Sequence, residues 1–305
     1  MDATQNIPAM KINAFVPWFG SKRTLAPVIV TELGKHRMYF EPFCGSMAVL
    51  FAKKPSPNET ANDMHGHLIN LARVLQDEQL RPELYEELQS TLYSTDLFNE
   101  SRAFMNGVPH VETAAMPSFS AAYHYFIVSW MGRNGTAGTE RINYQKATRW
   151  TPGGGSGPTR FRNAVSSIPA WAERLRNVDI QNIDGFELIN KVSDEPGVVI
   201  YADPPYKHRG RGGARYEHEF DDGNGGIFAG LDDHARLASS LRRFENARVV
   251  VSYYDDAEIR ELYDRWTVVD HTRQKNLHVQ NRRGAGECDA PEILLINGKS
   301  YGGAS

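Results

Sequence analysis

Val198-Val199-Ile200-Tyr201-Ala202-Asp203-Pro204-Pro205-Tyr206 combines a short apolar run with an abrupt chemical stop. The first five residues are apolar and rich in β-branched types, and Pro196-Gly197 bounds them. This is the pattern of a strand buried on both faces of a parallel sheet. Two consecutive prolines lack backbone N–H groups and cannot continue a central strand. The carboxylate of Asp203 and the ring of Tyr206 are therefore expected at the carboxyl end of the strand, where open α/β sheets hold their ligands. Pro204 and Pro205 stiffen the turn and leave their carbonyls free to accept hydrogen bonds. A planar amine could be held there, its N–H groups on the acceptors and its plane against the ring.

The same pattern extends outward from this strand. Met38-Tyr39-Phe40-Glu41 predicts a strand that enters the turn Pro42-Phe43-Cys44-Gly45-Ser46, and Met47–Ala52 predicts the helix after it. Glu59–Asp63 reads as a second strand ending in an acid, followed by a helix over His67–Leu75. The sheet pattern resumes at Val178–Asp184, with a helix over Phe186–Val192 before the Asp203 strand. Later come helices over His234–Phe244 and Asp256–Tyr263, and strands at Arg248–Tyr254, Trp266–His271 and Glu292–Asn297. Strands alternating with helices predict an α/β fold with a Rossmann-like sheet.

Residues 81–177 break the alternation. Helical stretches near Leu84–Leu92 and Ser120–Trp130 give way to Gly132–Gly138 and then to Thr151–Pro158, which are rich in Gly and Pro. This stretch is expected to be an inserted, mostly helical and loop-rich domain, with residues 1–80 and 178–305 forming the main domain. The net charge of −3 conceals its basic character. Between Trp130 and Arg176, eight basic residues (Arg133, Arg141, Lys146, Arg149, Arg160, Arg162, Arg174, Arg176) face only Glu140 and Glu173, a local charge of +6. Further basic groups follow at Lys207–Arg215 and Arg273–Arg283. Such segregation fits a polyanion-binding face on an otherwise acidic protein.

The 305 residues are 41% hydrophobic and 23% charged, ordinary for a soluble globular chain. No apolar run approaches the roughly 18 residues of a membrane span. Met1–Asn6 has neither a basic nor an apolar targeting segment, so a cytoplasmic protein is expected. Cys44 and Cys288 form neither a disulfide framework nor a zinc spacing, and no metal is expected.

Gly45 lets the backbone approach a ligand at a helix start. Asp63, at the next strand end, could accept both hydroxyls of a ribose. Asp184 could take an adenine amino group, with Phe186 against the ring. In that order the groups build a site for an adenosine-bearing cofactor, with Asp203 facing its reactive end.

These residues resemble the Dam-like (α) class of S-adenosylmethionine-dependent DNA adenine-N6 methyltransferases, over most of the chain. Pro17-Trp18-Phe19-Gly20-Ser21-Lys22 is similar to the family's Trp-x-Gly-x-Lys element, which places Trp18 and Lys22 near the cofactor's methionine part. Phe40–Ser46, with Pro42, Phe43 and Gly45, resembles its glycine turn, although Met47 stands where the family often has a further glycine. Asn62-Asp63 with Leu68-Ile69-Asn70 resembles the ribose-acid segment, Asp203–Tyr206 the catalytic motif, and Glu292–Asn297 the terminal hairpin strand. Arg133-Asn134-Gly135 is similar to a run in some members. Arg133, Asn134, Arg141, Lys146, Arg149, Arg160 and Arg162 are accordingly the expected DNA-facing residues.

The resemblance implies methyl transfer to an adenine flipped out of double-stranded DNA, with the inserted domain recognising the target. Asp203 and the Pro204 carbonyl would accept the amine N–H bonds, and Tyr206 would stack on the base. A restriction-modification, phage or regulatory role is compatible with it, and a monomer and a weak dimer are both open. An RNA adenine methyltransferase would share the tetrapeptide. A catalytically inactive nucleic-acid-binding module would have no use for Lys22, Gly45, Asp63 and Asp203 together. Amide and cytosine-N4 methyltransferases usually carry Asn or Ser in place of Asp203.

Overall fold

The apolar run before Asp203 becomes β4 (Val198–Ala202), buried along its whole length at the centre of a sheet. The computed structural model describes residues 15–18, 20–108, 116–132, 146–147, 155–206, 220, 232–270 and 292–302. Among these, β1 (Met38–Glu41), β2 (Asn58–Asn62), β3 (Val178–Gln181), β4, β5 (Arg248–Tyr254), β6 (Thr267–Asp270) and β7 (Glu292–Ile296) form one sheet in the order β3-β2-β1-β4-β5-β7-β6. The first five in that order run parallel, and β7 is antiparallel to both neighbours.

From β1 the chain winds outward through β2 and β3, then returns to pair β4 on the other side of β1. The strand order reverses between β1 and β4, which opens a crevice beyond their carboxyl ends. The glycine turn follows β1 and the Asp203 tetrapeptide follows β4, so both border that crevice.

Alternation along the strands gives the sheet two buried faces. Ile200, Ala202, Val249, Val251, Ile293 and Leu295 pack against α8 (Gly185–Lys191), α9 (Asp233–Arg242) and α10 (Ala257–Leu262). The opposite face, with Tyr39, Ala61, Val199, Tyr201 and Val250, meets α1 (Ala26–Leu33), α2 (Ala48–Ala52) and α3 (Gly66–Gln76). That second core does not stop at α3. It continues into α4 (Leu80–Ser90), α5 (Thr95–Gly107), α6 (Phe119–Met131) and α7 (Gly157–Leu175), through residues such as Leu84, Phe98, Phe126 and Trp171.

The helices expected near Leu84–Leu92 and Ser120–Trp130 are present as α4 and α6, and two further regular helices, α5 and the 19-residue α7, join them. Ser156 accepts from the Thr159 N–H (3.3 Å) as the α7 N-cap, and Pro158 occupies the first turn, where a missing N–H costs nothing. Of the α7 arginines, Arg174 is not a surface charge. It is nearly buried and holds both oxygens of Glu59 on β2 (2.5 and 2.9 Å) and the Leu50 carbonyl (2.9 Å), while Lys53 completes the ion group at Glu59. This buried group ties the end of α7 to α2 and β2. Among the described residues, no helix is long and apolar enough to cross a membrane.

A second buried carboxylate closes the back of the sheet. Glu32 on α1 is fully buried and accepts from Ser300 Oγ (2.7 Å), the N–H groups of Tyr301 and Gly302 (2.9 Å each) and Arg248 (3.2 Å). Burial raises its pKa, but these donors together outweigh burial and hold it below the usual carboxylate range. A depressed folded pKa contributes stability that is complete above the unfolded pKa and lost as pH falls through the folded one. Glu32→Gln is therefore expected to cost about 1–3 kcal/mol at neutral pH, and the gap from wild type should narrow as pH falls through the lowered Glu32 pKa. Chemical denaturation across pH checks this; a gap that stays constant down to acid would show that the charge is not what stabilises the tail.

Candidate active site

The crevice has one wall from the turn after β1. Gly45 adopts φ +43, and a Cβ there would lie 2.8 Å from Nε1 of Trp18, so the indole and the turn backbone are in close contact. Met47 is also left-handed, at φ 54, and is completely buried. That conformation costs a side-chain-bearing residue about 1 kcal/mol, and glycine would adopt it without strain. The Gly45 N–H donates to Asp63 Oδ2 (2.8 Å), and the His65 N–H donates to Oδ1 (2.9 Å). Each carboxylate oxygen keeps a further lone pair for a ligand hydroxyl.

Asn62 explains why Asp63 stands there. Its buried amide donates to the Pro42 carbonyl (2.9 Å) and the Ile183 carbonyl (3.0 Å), and accepts from the Ile183 N–H (2.9 Å). One side chain thereby fastens together the loops after β1, β2 and β3. Cys44, in the same turn, is buried, and burial pushes its thiol well above its ordinary pKa, so it is no nucleophile.

The opposite wall is the tetrapeptide. Lys22 is almost completely buried and its Nζ lies 2.9 Å from Asp203 Oδ1. It also donates to the Gly20 carbonyl (2.7 Å) and sits 4.7 Å from the centroid of the Tyr206 ring. The Tyr206 hydroxyl donates to the same Oδ1 (3.0 Å). Tyr206 is buried among aromatics, edge-to-face with Tyr254 at 4.6 Å and tilted against Tyr253 at 5.6 Å. Both neighbours come from the end of β5, and sequence reasoning had not marked them.

Burial raises the Asp203 pKa above the ordinary aspartate value; Lys22 and the Tyr206 hydroxyl pull it down, and the charge of Glu292 at the start of β7 raises it again. Glu292 enters the site because β7 runs antiparallel and pairs its first residue with Tyr254. Glu41, at the end of β1, accepts from the Tyr39 hydroxyl (2.9 Å), and burial pushes its pKa to about 8. It is mostly neutral at pH 7 and adds little charge beside Asp203.

At the β3 end, Asp184 caps α8 by accepting from the Phe186 N–H (2.7 Å), and it is exposed. Phe186 is buried, with the Arg236 guanidinium 3.9 Å from its ring centroid and Phe220 stacked at 5.5 Å. Phe43 meets Phe220 edge-on at 5.5 Å, and its ring fills the space a Cβ on Gly185 would need. The turn after β1 and the start of α8 thus share an aromatic lining. Trp18, Lys22, Pro42, Phe43, Gly45, Asp63, Asp184, Phe186 and Asp203–Tyr206 all border the carboxyl ends of β1 to β4.

The expected DNA-facing residues divide. Arg133, Asn134, Arg141 and Arg149, like the basic groups at Lys207–Arg215 and Arg273–Arg283, lie outside the described residues. Lys146 donates to Thr95 Oγ1 (2.8 Å) and lies 4.8 Å from the Tyr93 ring centroid. Arg160 and Arg162 are on the first turns of α7 and not on a loop; Arg162 is exposed and Arg160 partly buried.

A family model described as D12 class N6 adenine-specific DNA methyltransferase matches residues 18–281. The Retron Ec67 DNA adenine methylase of Escherichia coli is 25% identical over 316 aligned positions, which cover 94% of this chain and 92% of that protein.

Proposed function

This chain belongs to the D12 class of N6 adenine-specific DNA methyltransferases, and from that premise we propose that it transfers the methyl group of S-adenosylmethionine to an adenine extruded from double-stranded DNA. What supports this most is the meeting of two groups of residues at one crevice. Gly45 and Asp63 end one side of the sheet switch point, and Asp203 with Lys22 and Tyr206 ends the other.

The cofactor fits the residues present. Asp63 offers spare lone pairs to a ribose diol, the Trp18 indole packs on the bare backbone of Gly45 beside it, and Phe43, Phe186 and Asp184 suit an adenine ring and its amino group. When bound, S-adenosylmethionine supplies a methyl group on a cationic sulfur. The chain's own task is to make a poor nucleophile react, since the lone pair of the adenine amine is delocalised into its ring. Asp203 and the Pro204 carbonyl accept the two amine N–H bonds and favour a pyramidal nitrogen. Both internal bonds of Asp203 fall on Oδ1, so Oδ2 is assigned to the amine. As the new N–C bond forms and the donor's carbon–sulfur bond breaks to leave a neutral thioether, Asp203 would stabilise the positive charge on nitrogen and take one of its protons. Tyr206 and its aromatic neighbours hold the base.

Residues 81–177 are the target-recognition unit in this proposal, built onto α3 and working on DNA in the cytoplasm. Arg162 and Arg174 then have opposite expected behaviour. Arg162→Gln should weaken DNA binding and lower the salt slope by about 1. Arg174→Gln should lower the melting temperature, because Glu59 would keep only Lys53 of its two buried cations and the Arg174 bond to the Leu50 carbonyl would be lost, with the salt slope unchanged. Affinity against salt and thermal melting for both variants decide it; identical behaviour would remove α7 from the DNA interface.

The activity itself is tested by incubating the protein with labelled S-adenosylmethionine and duplex DNA, single-stranded DNA or RNA, then sequencing the modified adenines. Label retained only by RNA, or on cytosine, would overturn the assignment.

A further inference from the structure

We propose that His65 is a positioning residue of the cofactor site, joining the ribose carboxylate, the start of α3 and the indole of Trp18. The proposal rests on the reading that Gly45 and Asp63 receive the ribose end of S-adenosylmethionine. His65 follows Asp63 by two positions and is almost completely buried. Its N–H fixes Asp63 Oδ1 (2.9 Å), while Gly45 fixes Oδ2. Its Nδ1 accepts from the Leu68 N–H (3.2 Å), which caps α3. A backbone N–H can only donate, so Nδ1 is the accepting nitrogen of the ring.

The ring has a second task. It stands edge-on to Trp18 at 5.3 Å, the indole that lies against Gly45, and tilted against Tyr125 of α6 at 5.5 Å. The other described helices with side-chain caps use Ser94, Ser118, Ser156, Asp184, Asp232 and Asp256. Serine or aspartate would cap α3 equally well, but neither could reach Trp18. An imidazole at this cap therefore combines a helix-start acceptor with an aromatic brace behind the glycine turn.

Three variants separate the two contacts. His65→Asn keeps a cap acceptor without the ring, His65→Phe keeps a ring without the acceptor, and His65→Ala keeps neither. Calorimetry with S-adenosylhomocysteine should show roughly tenfold weaker binding for Ala, with Asn and Phe in between. The KM for S-adenosylmethionine should rise in parallel, while kcat at saturating cofactor changes far less. Full recovery of affinity by Asn would mean that the residue is only a helix cap, and would overturn the proposal. So would unchanged affinity for Ala, or a fall in kcat at constant KM. Asp63→Ala is measured alongside. If it leaves affinity for S-adenosylhomocysteine unchanged, the ribose assignment fails and the proposal with it; if it weakens binding while His65→Ala does not, only the proposal fails.

Discussion

Replacing Asp203 with asparagine is expected to lower turnover at least about 100–1000-fold, with the fold and cofactor affinity retained. Asparagine keeps an oxygen for the Lys22 ammonium and the Tyr206 hydroxyl, which lie 2.9 and 3.0 Å from Oδ1. The substitution removes negative charge and basicity, and it leaves the shape of the site intact. Alanine should be as inactive but less stable, because the buried Lys22 ammonium and the Tyr206 hydroxyl would lose their acceptor oxygen as well as the negative charge. The carboxylate form is the active one, and burial raises its pKa above the ordinary aspartate value, so wild-type activity should fall as pH drops through that raised value. Single-turnover rates with saturating DNA and cofactor separate this from a binding defect. An Asp203→Asn protein with near-wild-type turnover would end the assignment of the tetrapeptide as the reacting site.

Much of the sheet was legible because fully buried parallel strands leave continuous apolar runs. Met38–Glu41, Val198–Ala202 and Arg248–Tyr254 are strands with the bounds the sequence implies. Within residues 81–177 the helical stretches near Leu84–Leu92 and Ser120–Trp130 are α4 and α6, whereas α5 and α7 were harder to see. Glycine and proline punctuation at Gly153–Pro158 outweighed two signals of a helix start, Ser156 and Pro158. The apolar positions Phe161, Ala164, Val165, Ile168, Trp171, Ala172 and Leu175 recur at helical spacing and are buried. They could have identified α7, and with it that Arg174 points inward on a different face from the exposed Arg162. A net charge counted along the chain cannot distinguish a phosphate-binding arginine from one that neutralises Glu59.

The site divides along the same line. Gly45, Asp63 and Asp203 could be read because each stands at a strand end marked by its own local sequence. Contacts between distant segments could not. Lys22 meets Asp203 only because the segment before α1 packs against the end of β4, and Glu292 acts on Asp203 only because β7 runs antiparallel beside β5. For Tyr206 the sequence argues for a stacking ring, whereas the fold also puts its hydroxyl on Asp203. Its substitution by phenylalanine therefore alters the carboxylate as well as the base-holding wall.

Lys22→Met provides the second large effect. Methionine approximates the length of lysine, so the buried channel should stay filled while the charge disappears. In the wild type, burial and Glu292 raise the Asp203 pKa, and Lys22 is the largest influence pulling it down. Without the ammonium, the Tyr206 hydrogen bond is the influence still identified among the described residues as opposing burial. The carboxyl should then be protonated over more of the neutral range and accept poorly from an amine. Turnover at pH 7 is expected to fall about 100-fold, and the acid limb of the rate profile should move to higher pH. Raising the pH should recover part of the loss, which no simple packing defect would do. The resemblance also implies that the element containing Lys22 approaches the methionine part of the cofactor, so a second readout is needed. Calorimetry with S-adenosylhomocysteine isolates that role: weaker binding with an unmoved acid limb would make Lys22 a cofactor ligand only. A shifted limb with affinity preserved would establish it as the cation that keeps Asp203 ionised for the incoming amine.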